Sequence, residues 1–276
     1  MTASISLLTG QSARVTVIVT TFNDAAYLPD ALDSVVAQTR PANEVIVVDD
    51  GSRRDPSSRL KRYPFVTLIR RQNGGLAAAR NSGLHAADGD FIVFLDADDR
   101  LMPEAIAAGL AAFESCPEAA FVYGAHRLVN ARLEVIAKDN ISAVGDNPFR
   151  DLLTGNLVAM HAAVMYRKDI ILKAGGFDES LRLCEDYELY LRLSRRNKVC
   201  WHHNTVAEYR MHSGNISRDY AKMLTATLAI LRRFSDVSGK DAEAKSAGEE
   251  NWRRYYDDRI MNSRRSRWMD RFRRNM

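Results

Sequence analysis

Apolar runs in the first half of the chain alternate with segments of helical spacing, and each run ends in polar residues. Four runs are β-branched or strongly apolar and too short for helices, which is typical of buried strands. These runs span residues 15–19, 44–48, 66–69 and 90–95. The spacing predicts helices over residues 28–36, 76–87 and 103–115. Apolar strands that alternate with helices indicate a parallel sheet covered on both faces.

Three of these strands are followed by polar segments that a parallel sheet would bring to one edge. The segments are residues 20–23, 49–52 and 96–99. In open α/β sheets, ligands bind beyond the carboxyl ends of the strands. Asp96, Asp98 and Asp99 would repel one another there, and a hard divalent cation such as Mg²⁺ or Mn²⁺ would offset the repulsion. An Asp-x-Asp tripeptide alone is usually a solvated turn, but three converging segments favour a nucleotide and metal crevice.

The net charge of +4 is concentrated at the C-terminal end of the 276-residue chain. Residues 251–276 hold nine arginines and three aspartates, so the remainder is slightly acidic. This distribution argues against nucleic-acid binding across the main body. Aromatic residues lie among the arginines: Trp252, Tyr255, Tyr256, Trp268 and Phe272. Two interpretations stay open: a helix docked on the body or on a second copy in a homodimer, and peripheral contact with an anionic membrane.

The cysteines Cys116, Cys184 and Cys200 are scattered and form no CxxC pair. Such spacing argues against a disulfide framework or a zinc site and suits a reducing cytoplasm. We find neither a signal-peptide pattern nor an apolar stretch of the roughly 18 residues that a spanning helix needs. The sequence therefore predicts a cytoplasmic protein, soluble or peripheral at the inner face of the membrane.

The pattern becomes mixed after residue 120. Strands are predicted at 121–123 and 162–166, a turn at 175–178, and helices at 186–195, 219–234 and 251–274. The polar segment 236–250 is predicted to be a flexible connection.

Seven motifs occur in order between residues 15 and 217. They are Val-Thr-Val-Ile-Val-Thr-Thr-Phe-Asn (15–23), Glu-Val-Ile-Val-Val-Asp-Asp-Gly-Ser (44–52), Asn-Gly-Gly-Leu-Ala-Ala-Ala-Arg-Asn-Ser-Gly (73–83), Leu-Asp-Ala-Asp-Asp (95–99), Gly-Gly-Phe-Asp-Glu (175–179), Cys-Glu-Asp-Tyr-Glu-Leu (184–189) and Tyr-Arg-Met-His-Ser-Gly-Asn-Ile-Ser (209–217). Each motif is weak alone, but the ordered set resembles the family 2 glycosyltransferases of the GT-A fold. Thr20 departs from that family, which often has proline there, and this should alter the stiffness of the loop more than its chemistry.

The resemblance implies an α/β fold with a Rossmann-like, mostly parallel sheet flanked by helices. We expect a GT-A glycosyltransferase domain over residues 12–217 and a C-terminal helical extension over residues 218–276, ending in the basic aromatic tail. The implied reaction is a metal-dependent, inverting transfer from a nucleotide-diphosphate sugar to a hydroxyl acceptor. A UDP-linked donor and a glycan or glycolipid acceptor, as in surface polysaccharide synthesis, are the expected substrates.

The resemblance also assigns roles to the acidic residues. Asp49 or Asp50 should contact the base or ribose of the donor, and Asp96 should hold the ribose or a metal-bound water. Asp98 should ligate Mn²⁺ or Mg²⁺ directly. Asp186 matches the general base of the family, and Glu185 could share that task.

Other donor-site candidates lie in the same motifs: Thr20, Phe22, Asn23, Asn73, Gly74, Arg80 and Ala97. Asn73 and Gly74 could equally form a simple tight turn. Arg80 could contact nucleotide or phosphate, or be a surface charge on its helix. His212 could be a third metal ligand beside Asp96 and Asp98, a phosphate contact, or a structural histidine.

Two other classes of protein compete with the glycosyltransferase. A nucleotidyltransferase would typically carry a glycine-rich, basic phosphate loop after its first strand, whereas Thr-Thr-Phe-Asn-Asp has no basic residue. A catalytically inactive nucleotide-sugar-binding scaffold is disfavoured because Asp98 and Asp186 are both present.

Overall fold

Eight strands form one mixed sheet in the computed structural model, which describes residues 13–24 and 26–274, with side chains up to residue 262. The strands are β1 (Val15–Thr21), β2 (Glu44–Asp49), β3 (Val66–Arg70), β4 (Phe91–Asp96), β5 (Arg100–Leu101), β6 (Ala119–Asn130), β7 (Val164–Arg167) and β8 (Lys198–Met211). Their spatial order is β3-β2-β1-β4-β7-β6-β8-β5. The predicted α/β class is confirmed.

Helices cover the sheet and continue beyond it. They are α1 (Leu28–Val36), α2 (Ser57–Leu60), α3 (Leu76–Ala86), α4 (Ala105–Ser115), α5 (Pro148–Thr154), α6 (Lys168–Lys173), α7 (Glu185–Ser194), α8 (Tyr220–Arg233) and α9 (Gly239–Arg274). Short 3₁₀ turns occur at His161–Ala163 and Ile216–Arg218.

The register of the parallel strands brings the predicted polar segments to one edge. Thr20 of β1 pairs with Asp96 of β4, and Thr21 of β1 pairs with Asp49 of β2. The amide of Ala97 donates to the Thr20 carbonyl at 2.9 Å, which extends this level past the end of β4. The sequence pattern therefore located this edge correctly.

The second half of the sheet departs from the parallel pattern. Strand β7 is antiparallel to both β4 and β6, while β6 and β8 are parallel to each other with irregular register. The predicted strand at 162–166 is too early, because residues 161–163 form a 3₁₀ turn. The 14-residue strand β8 was not predicted, since its polar and half-buried residues mask the period-two pattern.

Alternate residues of the parallel strands fill two cores. On one face, Ile18 and Ile46 pack with residues of α3 and α7. On the other, Val17 and Val47 pack with residues of α1 and α4. Successive side chains of a strand point to opposite faces, so one uninterrupted apolar run serves both cores.

Helix α9 begins inside the segment that was predicted to be flexible, so that prediction is wrong for residues 239–250. This part of the helix lies against α5. Arg150 and Asp241 form an ion pair at 2.8 Å, and the Asn251 side-chain amide donates to the Thr154 carbonyl at 3.1 Å. The polar residues that were predicted to form a flexible connection form a helix instead, because these tertiary contacts stabilise it.

Aromatic residues of α9 pack on the body near the start of α7. The ring of Trp252 meets Tyr187 edge-on with centroids 5.8 Å apart and stacks on Tyr256 at 5.5 Å. These contacts support the docked-helix interpretation for this part of the tail. Side chains beyond residue 262, including Trp268, Phe272 and six of the nine arginines, lie outside the described residues. In the described part of the chain, no helix is both long enough and apolar enough to cross a bilayer.

Cys116 and Cys200 form a disulfide that joins the end of α4 to β8. The prediction that the scattered cysteines stay unpaired is wrong for these two, because folding brings together positions 84 residues apart. Disulfides are typical of oxidising compartments. Cysteine usage therefore does not support the cytoplasmic location, which stays a prediction.

We predict that Gly248→Ala destabilises the protein. A Cβ at Gly248 would overlap the carbonyl oxygen of Leu153 in α5, so the helix would have to move away. Glycine to alanine inside a helix normally gains about 1 kcal/mol, but overpacking costs about 1–3 kcal/mol. Chemical denaturation should show a net loss, while exposed Glu250→Ala should stay within about 0.5 kcal/mol of wild type. A stabilised alanine variant would contradict the docking of α9 on α5.

Candidate active site

The acidic segment after β4 sends its carboxylates in three directions. Asp96 accepts a hydrogen bond from the Thr20 hydroxyl at 2.8 Å and from the Arg80 guanidinium at 3.1 Å. The Asp98 carboxylate lies 2.9 Å from Nε2 of His212. Asp99 is buried and accepts from the backbone amide of Arg210 at 2.9 Å. Asp99 therefore anchors the end of β8 beneath the site.

Negative charge accumulates at this edge. Burial is the main cause that raises the pKa of Asp98 and of Asp99, and repulsion from neighbouring aspartates adds to it. Burial and the charges of Asp98 and Asp96 also raise the pKa of Asp24. Asp24 was missed from the sequence, although it directly follows the Thr-Thr-Phe-Asn motif. A cation bound here would lower the electrostatic cost of keeping these groups ionised.

The predicted metal ligands are assembled in part. Folding brings Asp98 and His212 together across 114 positions, but Asp96 faces Thr20 and Arg80. Among the residues that the structure describes, no three His, Cys, Asp or Glu side chains converge as a metal site. Carboxylate oxygen and imidazole nitrogen suit Mn²⁺ and, less well, Mg²⁺. The chemistry of Asp98 and His212 thus fits a cation, and the three-ligand set stays a prediction.

Arg80 is an internal residue of α3 and not a surface charge, since only 2% of it is exposed. Its Nη1 donates to Glu185 at 2.7 Å, and its Nη2 donates to both oxygens of Asp96 at 3.1 Å. The guanidinium also lies over the ring of Phe177, 5.5 Å from its centroid. Arg80 therefore links the acidic edge to the start of α7, and its predicted donor contact stays a prediction.

The two candidate bases at the start of α7 have different surroundings. Cys184 precedes them in the left-handed conformation with φ of 59°, and helix α7 starts at Glu185. Glu185 is buried against Arg80, and burial raises its pKa to about 7 although Arg80 acts in the opposite direction. Asp186 is half-buried, and its carboxylate accepts from the amide of Tyr187 at 2.7 Å. Burial also raises the pKa of Asp186.

The carboxylates of Asp49 and Asp50, at the end of β2, accept hydrogen bonds from neighbouring residues of the protein. Asp49 is fully buried and accepts from Arg70 at 2.9 Å and from the amide of Ser52 at 3.1 Å. Asp50 accepts from Arg71, from the Asn73 side chain and from the amides of Gly74 and Gly75. These bonds shape the predicted donor loop, and the direct contact of Asp49 or Asp50 with a nucleotide stays a prediction.

The loop after β1 is tied to the loop after β2. Asn23 has a positive φ of 62°, its amide donates to the Ser52 hydroxyl at 2.8 Å, and its side-chain oxygen accepts from the amide of Arg53 at 3.0 Å. Between the strand and this anchor, Phe22 remains 46% exposed. The two anchored loops hold this exposed ring at the sheet edge.

Asn81 joins α3 to the loop that leads towards α7. Its side-chain amide donates to the Phe177 carbonyl and to Glu179, each at 2.9 Å, and its oxygen accepts from the Phe177 amide at 2.8 Å. Gly176 has a φ of 69°, and a Cβ there would meet the Asn81 side chain. The Asn-Ser-Gly and Gly-Gly-Phe-Asp-Glu motifs are thus two halves of one contact, which their separation in sequence concealed.

The sheet order, the acidic edge and the candidate base on α7 define a GT-A type of glycosyltransferase. Residues 16–173 match the model of glycosyl transferase family 2, and the chain belongs to that family.

Curated relatives agree with this assignment. An uncharacterised glycosyltransferase of Haemophilus influenzae is 34% identical over 183 residues, which cover 65% of this chain and 61% of the relative. Chondroitin synthase of Pasteurella multocida is 30% identical over 198 residues, which cover 68% of this chain and 20% of the synthase. The chain thus spans less than two thirds of the length of either relative.

Solved structures share the fold. TarS of S. aureus in complex with UDP-GlcNAc has a TM-score of 0.67 at 19% identity, over 88% of this chain and 73% of TarS. A mannosyltransferase of Pyrobaculum calidifontis in complex with GDP-Man and Mn²⁺ has a TM-score of 0.64 at 19% identity, over 87% of this chain and 69% of that one. At these identities the likeness establishes the GT-A fold.

We predict that Arg80→Met costs about 3–5 kcal/mol in unfolding free energy, because Glu185 would stay buried without its partner. Adding Glu185→Gln should recover part of the loss and give a coupling energy of about 0.5–3 kcal/mol. Denaturation of the two single variants and the double variant measures this cycle. Exposed Arg196→Met serves as the control and should have little effect. Strictly additive losses would show that Arg80 and Glu185 do not stabilise each other.

Proposed function

We propose that the protein transfers a sugar from a UDP-sugar to a hydroxyl group of a glycan or glycolipid acceptor, with inversion at the anomeric carbon. The Asp96–Arg80–Glu185 chain carries this proposal, because it joins the acidic edge of the sheet to the residue beside Asp186. The negative charge of Asp96 contributes to the raised pKa of Asp186, so the two groups lie within electrostatic reach. A donor bound at the acidic edge would therefore lie close to Asp186.

Family membership and the solved neighbours support a nucleotide-sugar donor. TarS was solved with UDP-GlcNAc and also with UDP, and the Pyrobaculum enzyme with GDP-Man. In this chain, the loops after β1 and β2 and the loop 71–75 would receive the nucleotide. Phe22 offers an exposed aromatic ring on which the nucleobase of the donor can stack. The hydrogen bond from the Gly74 amide to Asp50 fixes the backbone of the loop 71–75.

Asp98 and His212 would hold Mn²⁺ or Mg²⁺. Bound there, the cation would supply positive charge to the leaving diphosphate. Thr20 and Arg80 meanwhile hold the Asp96 carboxylate in place beside the donor.

Inverting transfer needs one base and no enzyme nucleophile. The acceptor oxygen forms a bond to the anomeric carbon as the bond to the diphosphate oxygen breaks, and Asp186 takes the hydroxyl proton. Asp186 suits this task because it is partly accessible and burial makes its carboxylate a stronger proton acceptor. Glu185 suits it less, since its carboxylate is buried and bound to Arg80.

The competing classes make different predictions. A nucleotidyltransferase is disfavoured by the family assignment and by the basic-free loop after β1. An inactive scaffold would bind a nucleotide sugar without releasing nucleoside diphosphate from it, so a donor-hydrolysis assay separates it from an enzyme. Cytoplasmic location and membrane contact through the tail remain expectations beside this proposal.

We predict that Asp186→Asn lowers turnover by about 10²-fold or more and leaves donor affinity within a few fold, because it removes the base and keeps the size of the side chain. Release of nucleoside diphosphate measures turnover, and calorimetric titration with UDP measures binding. Exposed Asp146→Asn should match wild type in both assays. Near-normal turnover of Asp186→Asn would assign the base to another group.

We predict that Asp98→Ala abolishes transfer and removes the dependence of UDP binding on Mn²⁺. Electron paramagnetic resonance of free Mn²⁺ should show weaker metal binding by Asp98→Ala, independently of activity. His212→Ala should weaken metal binding in the same direction, because it removes the partner of Asp98. An unchanged wild-type rate in EDTA would contradict the metal role.

A further inference from the structure

A cleft of about 830 Å³ opens next to the candidate active site. Arg182 and Leu183 line one side, immediately before the turn that leads into α7. Ser213 and Asn215 line another side, immediately after His212. The cleft therefore lies between the chain segments that carry the candidate base and the candidate metal ligand. An acceptor hydroxyl that approaches the candidate base from this side would pass through the cleft.

Positive charge in the cleft is only partly compensated. Arg182, Arg218 and Lys222 line it, together with the carboxylate of Asp219. Asp219 is paired with Lys222 at 2.7 Å and accepts from the Lys222 amide at 3.3 Å. Within the part of the chain described by the structure, neither Arg182 nor Arg218 forms an ion pair. Two guanidinium charges thus face the cleft region without a carboxylate.

Both guanidinium groups are anchored to backbone carbonyls of the site. Nη1 of Arg182 donates to the Gly74 carbonyl, and Nη1 of Arg218 donates to the His212 carbonyl at 3.4 Å. A guanidinium has five N–H donors, so each arginine keeps most of its donors for a ligand. Arginine is suited to carboxylate and phosphate because its planar donors match two oxygens at once.

Apolar side chains line the same cleft. Leu183 and Ile260 contribute to its walls, and Ile216 is 65% exposed. A saccharide ring combines apolar C–H faces with polar edges, so this lining suits a sugar that also carries an anionic group. A small inorganic anion would make no contact with the apolar side chains of the lining.

We propose that this cleft is the acceptor subsite and that it selects an anionic acceptor saccharide, whose carboxylate or phosphate is bound by Arg182 and Arg218. The proposal rests on the transferase function proposed above and adds the class of acceptor. The two cations balance the acceptor charge, which Asp98 and Asp186 would otherwise repel.

The test measures binding of three probes to the full-length protein in the presence of UDP and Mn²⁺. The probes are methyl β-glucoside, methyl β-glucuronide and glucose 1-phosphate, and saturation-transfer NMR titrations give their affinities. We expect at least one anionic probe to bind about tenfold or more tightly than the neutral glucoside, with a preference that weakens as salt rises. The two anionic probes distinguish a uronate from a phosphate as the recognised group.

Arg182→Gln and Arg218→Gln, singly and together, should reduce the ratio of anionic-probe affinity to neutral-probe affinity towards one. Arg182→Lys and Arg218→Lys should keep part of the preference, because they retain the charge and lose the planar donor pair. Arg196→Gln is the matched control and should keep the full preference, because it replaces an exposed arginine just beyond the C-terminal end of α7. Melting curves verify that each variant is folded.

Equal binding of neutral and anionic probes by the wild type would overturn the proposal. The proposal would also be overturned if the Arg182 and Arg218 variants lost affinity for UDP while their preference for anionic probes stayed unchanged. That result would assign the two arginines to the donor. Failure of the transferase function is seen separately, as the absence of nucleoside diphosphate release from any donor while the anionic probe still binds.

Discussion

The buried guanidinium of Arg80 is the interaction on which the candidate site depends. A charge removed from water costs several kcal/mol unless it is paired with good geometry. Arg80 meets this requirement only when Asp96 and Glu185 are both beside it, 3.1 Å and 2.7 Å away. The end of β4 and the start of α7 are therefore held at a fixed separation by one side chain of α3. The positions of the acidic edge and of the candidate base are therefore both fixed by Arg80.

This arrangement gives the two sides of the site different electrostatic properties. At the end of β2, the carboxylates of Asp49 and Asp50 are satisfied by arginines and backbone amides. Near the end of β4, Asp24, Asp98 and Asp99 have raised pKa values, because burial and mutual repulsion exceed the compensation that the protein supplies. The first group shapes loops, whereas the second is suited to attract positive charge. Aspartates that occur in similar motifs thus have different structural and electrostatic roles.

The first half of the fold was predictable because its physics is local. Each apolar run forms most of one strand, and parallel register then places residues 20–23, 49–52 and 96–99 at one edge. Strand β8 and the start of α9 were not predictable, since their polar residues become ordered only through distant partners. The same limit applies to Cys116 and Cys200 and to the internal position of Arg80. Motif order indicated the residues of the candidate site, but not that Glu185 would bind Arg80 while Asp186 stays partly accessible.

The packing of α9 has a consequence for the order in which the molecule can be completed during synthesis. Domains generally fold from the N-terminal side as the chain emerges. Here Tyr187, next to the candidate base, is covered by Trp252, and Leu153 is approached by Gly248. The outer faces of α5 and α7 must therefore stay uncovered until residues 248–256 have been made. A nascent chain that already carries the acidic edge would therefore still expose the apolar surface around Tyr187 that Trp252 covers in the complete fold.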